Sequence, residues 1–334
     1  MEELKNETLN ENETLAPEAV TEIATETPSG DDNILAQAVM KEMNMQQVSA
    51  KQRVMKVLVQ IGLYAFLGFM AFIVIFPFYW MIISSLKTVN EFNTDPPTFY
   101  PHEFHWQNYA NAFNKANMGR LFLNTVYVGV VSTLLSLVVT ILAAFAFARL
   151  EFKGKNALFA FLLATMMIPG ELFTITNYIT VVQWLDWKDT FYALIVPFLV
   201  SVFYIYLLKQ NFEQIPNELY LAAKVDGTSD FKYLCKVMIP LALPTIISIT
   251  ILKMMGSWNS YMWPKLVTER NSDLHKLITV GLREMDFSED GNQGRIDYPR
   301  QMAAVTMVSI PLFMVFVFLR KYIMKGVSRS GIKG

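Results

Sequence analysis

The 334-residue sequence predicts an all-α membrane protein with six transmembrane helices and a helical cytoplasmic loop between the fourth and fifth. Three observations predict it. Hydrophobic residues make up 53% of the chain and charged residues only 17%, whereas a soluble domain carries about 25% charged residues. That is too little charge to clothe a water-exposed surface. Six stretches are free or nearly free of charge, and each approaches or exceeds the roughly 20 residues that a helix needs to cross the hydrocarbon core. Lys and Arg gather in alternate connections, the asymmetry that orients multi-pass proteins.

The first 50 residues stand apart. They hold a net charge of −9, and the remaining residues a net charge of +8. An acidic tail (1–50) therefore precedes a basic membrane domain (51–334). Residues 1–33 are rich in Glu, Thr, Asn and Pro and short of large apolar side chains. Such a stretch cannot bury enough surface to offset its ordering entropy, so it reads as disordered. It lacks the basic start and apolar stretch of a signal peptide. From Ile34 to Lys56 the pattern is mixed, ending in bases, and suits either an interfacial helix leading into the membrane or a plain linker.

The spans follow in order. Lys56 to Lys87 is uncharged and gives the first, about 57–86. The second lies between Arg120 and Arg149, about 121–148. The third, about 157–182, contains one charge, Glu171. The fourth, about 190–208, is uncharged, and the fifth, about 237–263, contains Lys253. The sixth is about 301–319. Six spans put both termini on one side. Placing them in the cytoplasm puts Lys51, Arg53, Lys56, Arg149, Lys153, Lys155, Lys209, Lys224, Lys232, Lys236, Arg320, Lys321, Lys325, Arg329 and Lys333 inside, which the positive-inside rule favours. Trp106, Trp184, Trp187 and Trp263 then fall near outer span ends, where aromatic belts form. Pro77, Pro169, Pro197, Pro244 and Pro311 lie within spans. They mark either broken helices in a protein that changes shape or the ordinary frequency of Pro in membrane helices.

The connection 210–236 is unlike a plain loop. Pro216 can open a helix, where its missing N–H costs nothing. Leu219, Ala222 and Ala223 would share one face at i, i+3 and i+4, with the alanines allowing close approach of another surface. Asp226-Gly227 is a turn and stop signal. Ser229 suits the cap of a second helix starting near Asp230. Two short cytoplasmic helices would meet at a sharp corner.

This segment resembles the E-A-A-x-x-D-G loop of binding-protein-dependent ABC importer permeases. The family places Pro 14 and 18 residues after the Asp, and Pro240 and Pro244 match both positions. Further matches are to the sugar-importing branch similar to the maltose permeases: Asn124-Thr125, Ala146-Phe147-Ala148-Arg149, Met166-Met167-Ile168-Pro169-Gly170, Trp258-Asn259, Trp263-Pro264, Lys325-Gly326 and Lys333-Gly334. The resemblance covers roughly residues 55–334. One departure is Leu221, where the family has Glu; Glu218, one turn earlier, can supply the charge.

The resemblance implies a non-hydrolytic permease subunit in the cell membrane of a bacterium. Its partners would be a second homologous permease, two cytoplasmic ATPase subunits that carry ATP and Mg, and an extracellular sugar-binding protein. This chain would bind no cofactor itself. Glu218, Ala222, Ala223, Asp226 and Gly227 would form a coupling helix docked in a cleft of the ATPase, with Lys325–Gly334 also lying against the ATPases. Closure of the ATPase pair would switch the transmembrane helices from inward-facing to outward-facing.

A charge within a bilayer is costly and points to function. Counting along straight helices at ~1.5 Å per residue puts Glu171 and Lys253 at similar depth in the outer half. They would pair, line the translocation cavity, or, for Lys253, snorkel to the interface. Trp258, Asn259 and Tyr261 suit the faces and hydroxyls of a sugar, and equally suit an interface belt.

Other classes fare worse. No P-loop signature occurs, so the chain is not its own ATPase. Nucleic-acid binding lacks a basic soluble domain. A single cysteine, Cys235, forms no internal disulfide or cysteine cluster, and a His102/His105 metal site would need two more ligands. A membrane enzyme would need a catalytic constellation, and none is visible. A secondary transporter would leave the cytoplasmic corner without a purpose and would be expected to show internal repeats. An importer for a phosphorylated polyol such as glycerol phosphate remains the alternative substrate class, resting on Lys253.

Overall fold

The computed structural model describes residues 30–328, apart from 116, 290 and 291. The expected disorder of the first residues and the last residues of the C-terminal motif lie outside these. The chain forms two units, Met1–Phe76 and Pro77–Gly334.

Helix α1, Gly30–Ser85, runs for 56 residues. Residues 34–56 are helical and continuous with the first span, which departs from a plain linker. Its side chains from Val54 to Ile75 are exposed and almost wholly apolar, the surface expected of a lipid-facing helix.

The second unit begins with α2, Val89–Phe92, and α3, Gln107–Lys115. Helix α4, Met118–Arg149, is its central pillar. The buried stripe of α4 includes Val128, Ser132, Ser136, Thr140 and Ala144, spaced three or four apart. Small and hydroxyl-bearing residues let neighbouring backbones approach closely inside a membrane. Against α4 pack α8, Val202–Glu213, and α10, Asp230–Trp258. Helix α10 is continuous through a π-helical segment at Leu234–Met238.

The third expected span departs from a straight helix. Helix α5, Lys155–Thr165, is followed by a turn, then by Gly170–Trp184 bent away at 89°. This second half comprises a 3-10 turn, Gly170–Phe173, helix α6, Thr174–Tyr178, and a π-helical end, Ile179–Trp184. Pro169 explains the break, because it offers no N–H and drives Ile168 out of the helical region. The fourth span is also bent, by 44°, between Phe191–Phe198 and α8. Its first half is α7, Phe191–Ile195, with a 3-10 turn at Val196–Phe198 around Pro197. Ser201 restarts the helix by accepting a hydrogen bond from Tyr204 N–H. Pro77, Pro244 and Pro311, in contrast, sit inside unbroken helices.

The fifth span ends at Trp258 rather than at 263, and α11, Met262–Val267, follows. Beyond it lie α12, Ile278–Glu284, and a short hairpin, β1 (Ser288–Glu289) antiparallel to β2 (Asn292–Ile296). This hairpin is a small exception to an all-α architecture. Helix α13, Tyr298–Ser328, contains the last span. Among the described residues, four helices are long and apolar enough to cross a membrane, or up to six if each bent pair counts as one.

Candidate functional site

The corner between α8 and α10 is built as a braced unit. Helix α9, Asn217–Val225, starts after Pro216 and stops at Asp226. Gly227 adopts a left-handed φ of +70°. Gly227 N–H then donates to Lys224 O at 3.0 Å and Thr228 N–H to Ala223 O at 2.8 Å. These two bonds form a Schellman cap, which a glycine makes without steric cost. Ser229 next caps α10 by accepting from Lys232 N–H, as the sequence predicts.

Side chains lock the angle between the two helices. The Asp230 carboxylate accepts from the Tyr220 hydroxyl at 2.8 Å and pairs with Lys224 Nζ at 2.7 Å. Tyr220 packs its ring on that of Tyr233, with centroids 5.2 Å apart. The hydrogen bond to Asp230 raises the Lys224 pKa; desolvation, then the Asp230 bond, raises that of Tyr220. Arg149, at the end of α4, holds the base of the corner. Its Nη2 donates to Phe212 O at 2.8 Å and to Ile215 O at 2.5 Å. The forked guanidinium is suited to two acceptors at once.

The faces of α9 differ from the expected division. Tyr220 and Ala223 turn inward onto the cluster containing Phe212, Ile215 and Tyr233. Glu218, Leu221, Ala222 and Val225 are exposed, Val225 at 88%. The two alanines therefore serve different surfaces, and Leu219, Ala222 and Ala223 do not form one outward stripe. Asp226 and Gly227 are exposed at the tip.

A cavity of about 360 Å³ lies among α4, the break in the fourth span, α10 and the segment 260–264. Its polar lining is Ser132, Ser201, Tyr204, Lys253, Ser257 and Ser260, and no carboxylate lines it. Lys253 Nζ donates to Phe198 O at 2.6 Å. Phe198 ends the 3-10 turn, so the break frees a carbonyl and Lys253 satisfies it. Glu171 is exposed on the 3-10 turn Gly170–Phe173 and does not line the cavity. The structure does not bring Glu171 and Lys253 together, because the 89° bend removes the straight helix on which their shared depth rests.

The three residues after Lys253 also separate. Trp258 is a core residue, 4% exposed, packed on Phe122 with ring centroids 6.0 Å apart. Asn259 is exposed, and its side chain donates to Met255 O at the helix end. Tyr261 lies under the Arg283 guanidinium at 4.2 Å, with Lys265 Nζ 5.4 Å from its ring. Lys265 and then Arg283 hold the Tyr261 phenol below its usual pKa.

The loop 273–278 hangs from two adjacent residues of α4. Asn124 Nδ2 donates to Asp273 O, Leu274 O and Lys276 O at 3.0–3.2 Å. Thr125 Oγ1 accepts from Ile278 N–H at 2.8 Å. This pair organises 273–278 over the cavity that Leu277 helps to line. His102, weighed above as a metal ligand, contacts Glu91 Oε1 at 3.3 Å.

Apolar helices long enough to span, two bent helix pairs and a braced corner are the architecture of a multi-pass membrane protein. The chain belongs to the binding-protein-dependent transport system inner membrane component family, which matches residues 136–329. It is 30% identical over 270 residues to the arabinooligosaccharides transport system permease protein AraQ of Halalkalibacterium halodurans, covering 80% of this chain and 94% of that one. It is 29% identical to the diacetylchitobiose uptake system permease protein NgcG of Streptomyces coelicolor, covering 77% and 84% respectively. The fold is similar to that of a bacterial ABC transporter involved in import of the acidic polysaccharide alginate (TM-score 0.69, 21% identity, 89% of this chain and 99% of that chain). A second structure, of the alginate transporter with an alginate pentasaccharide-bound periplasmic protein, matches at TM-score 0.55 with 15% identity, over 78% of this chain and 94% of that chain.

Proposed function

We propose that this chain is one of two transmembrane subunits of an ATP-driven importer for a carbohydrate, with six spans and both termini in the cytoplasm. The corner carries this reading. Its exposed face offers Glu218, Leu221, Ala222 and Val225 to a partner, while Tyr220, Lys224, Asp230 and Arg149 tie its other side to the transmembrane helices. A push on α9 would travel through Asp230 into α10 and through Arg149 into α4. That is the connection a coupling element needs, since a force is transmitted only through elements that move as one.

The partners under this reading are a homologous permease, two cytoplasmic ATPase subunits holding ATP and Mg, and an extracellular sugar-binding protein. Asp226 and Gly227 shape the tip that enters the ATPase cleft, and Ala223 sets the packing beneath it. Leu221 makes the contact apolar where relatives of the resemblance carry Glu, and Glu218 supplies the charge one turn away. The named relatives take oligosaccharides, which supports a carbohydrate substrate. Switching between inward-facing and outward-facing states draws on the bends at 166–169 and 199–201.

The test is ATP-driven uptake of labelled oligosaccharide into proteoliposomes holding the assembled complex. Ala222→Trp fills the approach surface of α9 and should abolish uptake and ATPase association. Uptake by this chain alone without ATP would overturn the proposal.

A further inference from the structure

The cavity beside the fourth-span break has a composition that the importer reading does not require. Lys253 is its single charged lining residue; the Trp263 indole N–H is committed to Ala193 O, and the remaining polar lining side chains carry hydroxyls. An ammonium has three donors. One goes to Phe198 O, and Lys253 has no other hydrogen-bond or ion-pair partner among the described residues. A cation in a membrane domain normally pairs with an acid or a run of carbonyls. Here two donors and the full charge remain for a ligand. Ser132, Ser257, Ser260 and Tyr204 surround it with groups that accept or donate as a sugar hydroxyl demands. The volume, about 360 Å³, is at the small end of ligand pockets.

A second observation lies just beyond the lining residue Ser260. Tyr261 carries Arg283 and Lys265 against its ring. Neither cation has a carboxylate partner among the described residues. Three cations without acidic partners thus stand in and beside one hydroxyl-lined cavity. Clefts lined by one sign of charge concentrate ligands of the opposite sign.

We propose that this cavity is an anionic-saccharide site, in which Lys253 binds the carboxylate of a uronic-acid residue and the serines and Tyr204 bind its hydroxyls. This rests on the carbohydrate-importer reading and narrows it to acidic oligosaccharides. Arg283 and Lys265, gathered on Tyr261 next to the lining residue Ser260, add positive charge beside the cavity. Phe198 O holds one of the three Lys253 donors, and the ligand takes the other two.

The experiment measures binding of trigalacturonate and of its neutral methyl ester to the full chain in lipid nanodiscs, by calorimetry. The wild type should bind the acid about tenfold more tightly than the ester, the scale of one charge-assisted hydrogen bond. Lys253→Met should erase that preference while leaving ester binding in place, and Lys253→Arg should retain most of it. Arg283→Gln, on the surface and outside the cavity, should weaken acid binding alone and keeps the test open if Lys253→Met does not fold. Equal affinity for acid and ester in the wild type overturns the site. Displacement of trigalacturonate by glycerol phosphate at a lower concentration overturns the uronic assignment in favour of a phosphate monoester. ATP-driven uptake of the neutral ester by the assembled complex, with no acid preference, removes this site and leaves the importer reading standing; absence of any ATP-driven uptake removes the importer reading itself.

Discussion

Asn124 shows how much one polar side chain can organise. Its amide reaches three carbonyls of 273–276 from a buried position on α4. Asn124→Ala leaves those acceptors without a donor, a loss of about 1–3 kcal/mol for buried groups. We expect a lower thermal unfolding temperature in detergent and faster proteolysis of 269–277. Gly227 makes a different demand. Its φ is +70°, yet a Cβ there would meet no atom within 4 Å. Gly227→Val therefore costs only local backbone strain, about 1–2 kcal/mol, and the protein should accumulate normally in membranes. The strained cap should loosen the corner, so ATP-driven uptake should fall while expression holds. At this scale the sequence singles out residues but not their partners. The sequence shows Lys253 as an intramembrane charge, but its acceptor is a carbonyl 55 residues away, freed by a break that hydropathy does not register. Trp258 reads as an aromatic near a span end, and only the packing of Phe122 makes it core.

At the scale of elements, the uninterrupted spans were legible because transfer energy alone defines them. The expected 121–148 became α4, Met118–Arg149. The bent spans were not, because hydropathy measures cost of transfer and not direction. Pro169 bends its span by 89°, while Pro77, Pro244 and Pro311 are carried within continuous helices; a proline's consequence depends on the packing around it. The corner was legible through its punctuation, Pro216, Asp226-Gly227 and Ser229, since caps are local chemistry. The phase of α9 was not, because Tyr220 rather than Leu219 found the buried partner, Tyr233. Close packing between elements supplies a further test. A Cβ on Gly281 of α12 would lie 2.3 Å from Leu121 Cδ1 on α4, and Leu121 is itself 1% exposed. Gly281→Val must displace that side chain in a full core, at a cost of about 1–3 kcal/mol. A drop in thermal stability is expected, with partial recovery when Leu121→Ala is added.

At the scale of the whole molecule, an acidic tail, basic connections and an apolar surface belong to a chain of a membrane permease family. Side chains such as Met167, at 85% exposure, and Leu172 and Ile175 leave the bent third span apolar on its outside, as a protein embedded in lipid or a partner subunit requires. No phosphate-binding loop is present in the sequence, and under the proposed function ATP energy arrives from another chain at the exposed face of α9. The most direct test is purification of this chain from its native membrane in mild detergent, with mass and stoichiometry of everything that accompanies it. The account predicts one further permease chain and two copies of a P-loop ATPase for each copy of this chain, with the ATPase lost on Ala222→Trp. Recovery of this chain alone, still moving oligosaccharide across liposomes without ATP, would contradict it.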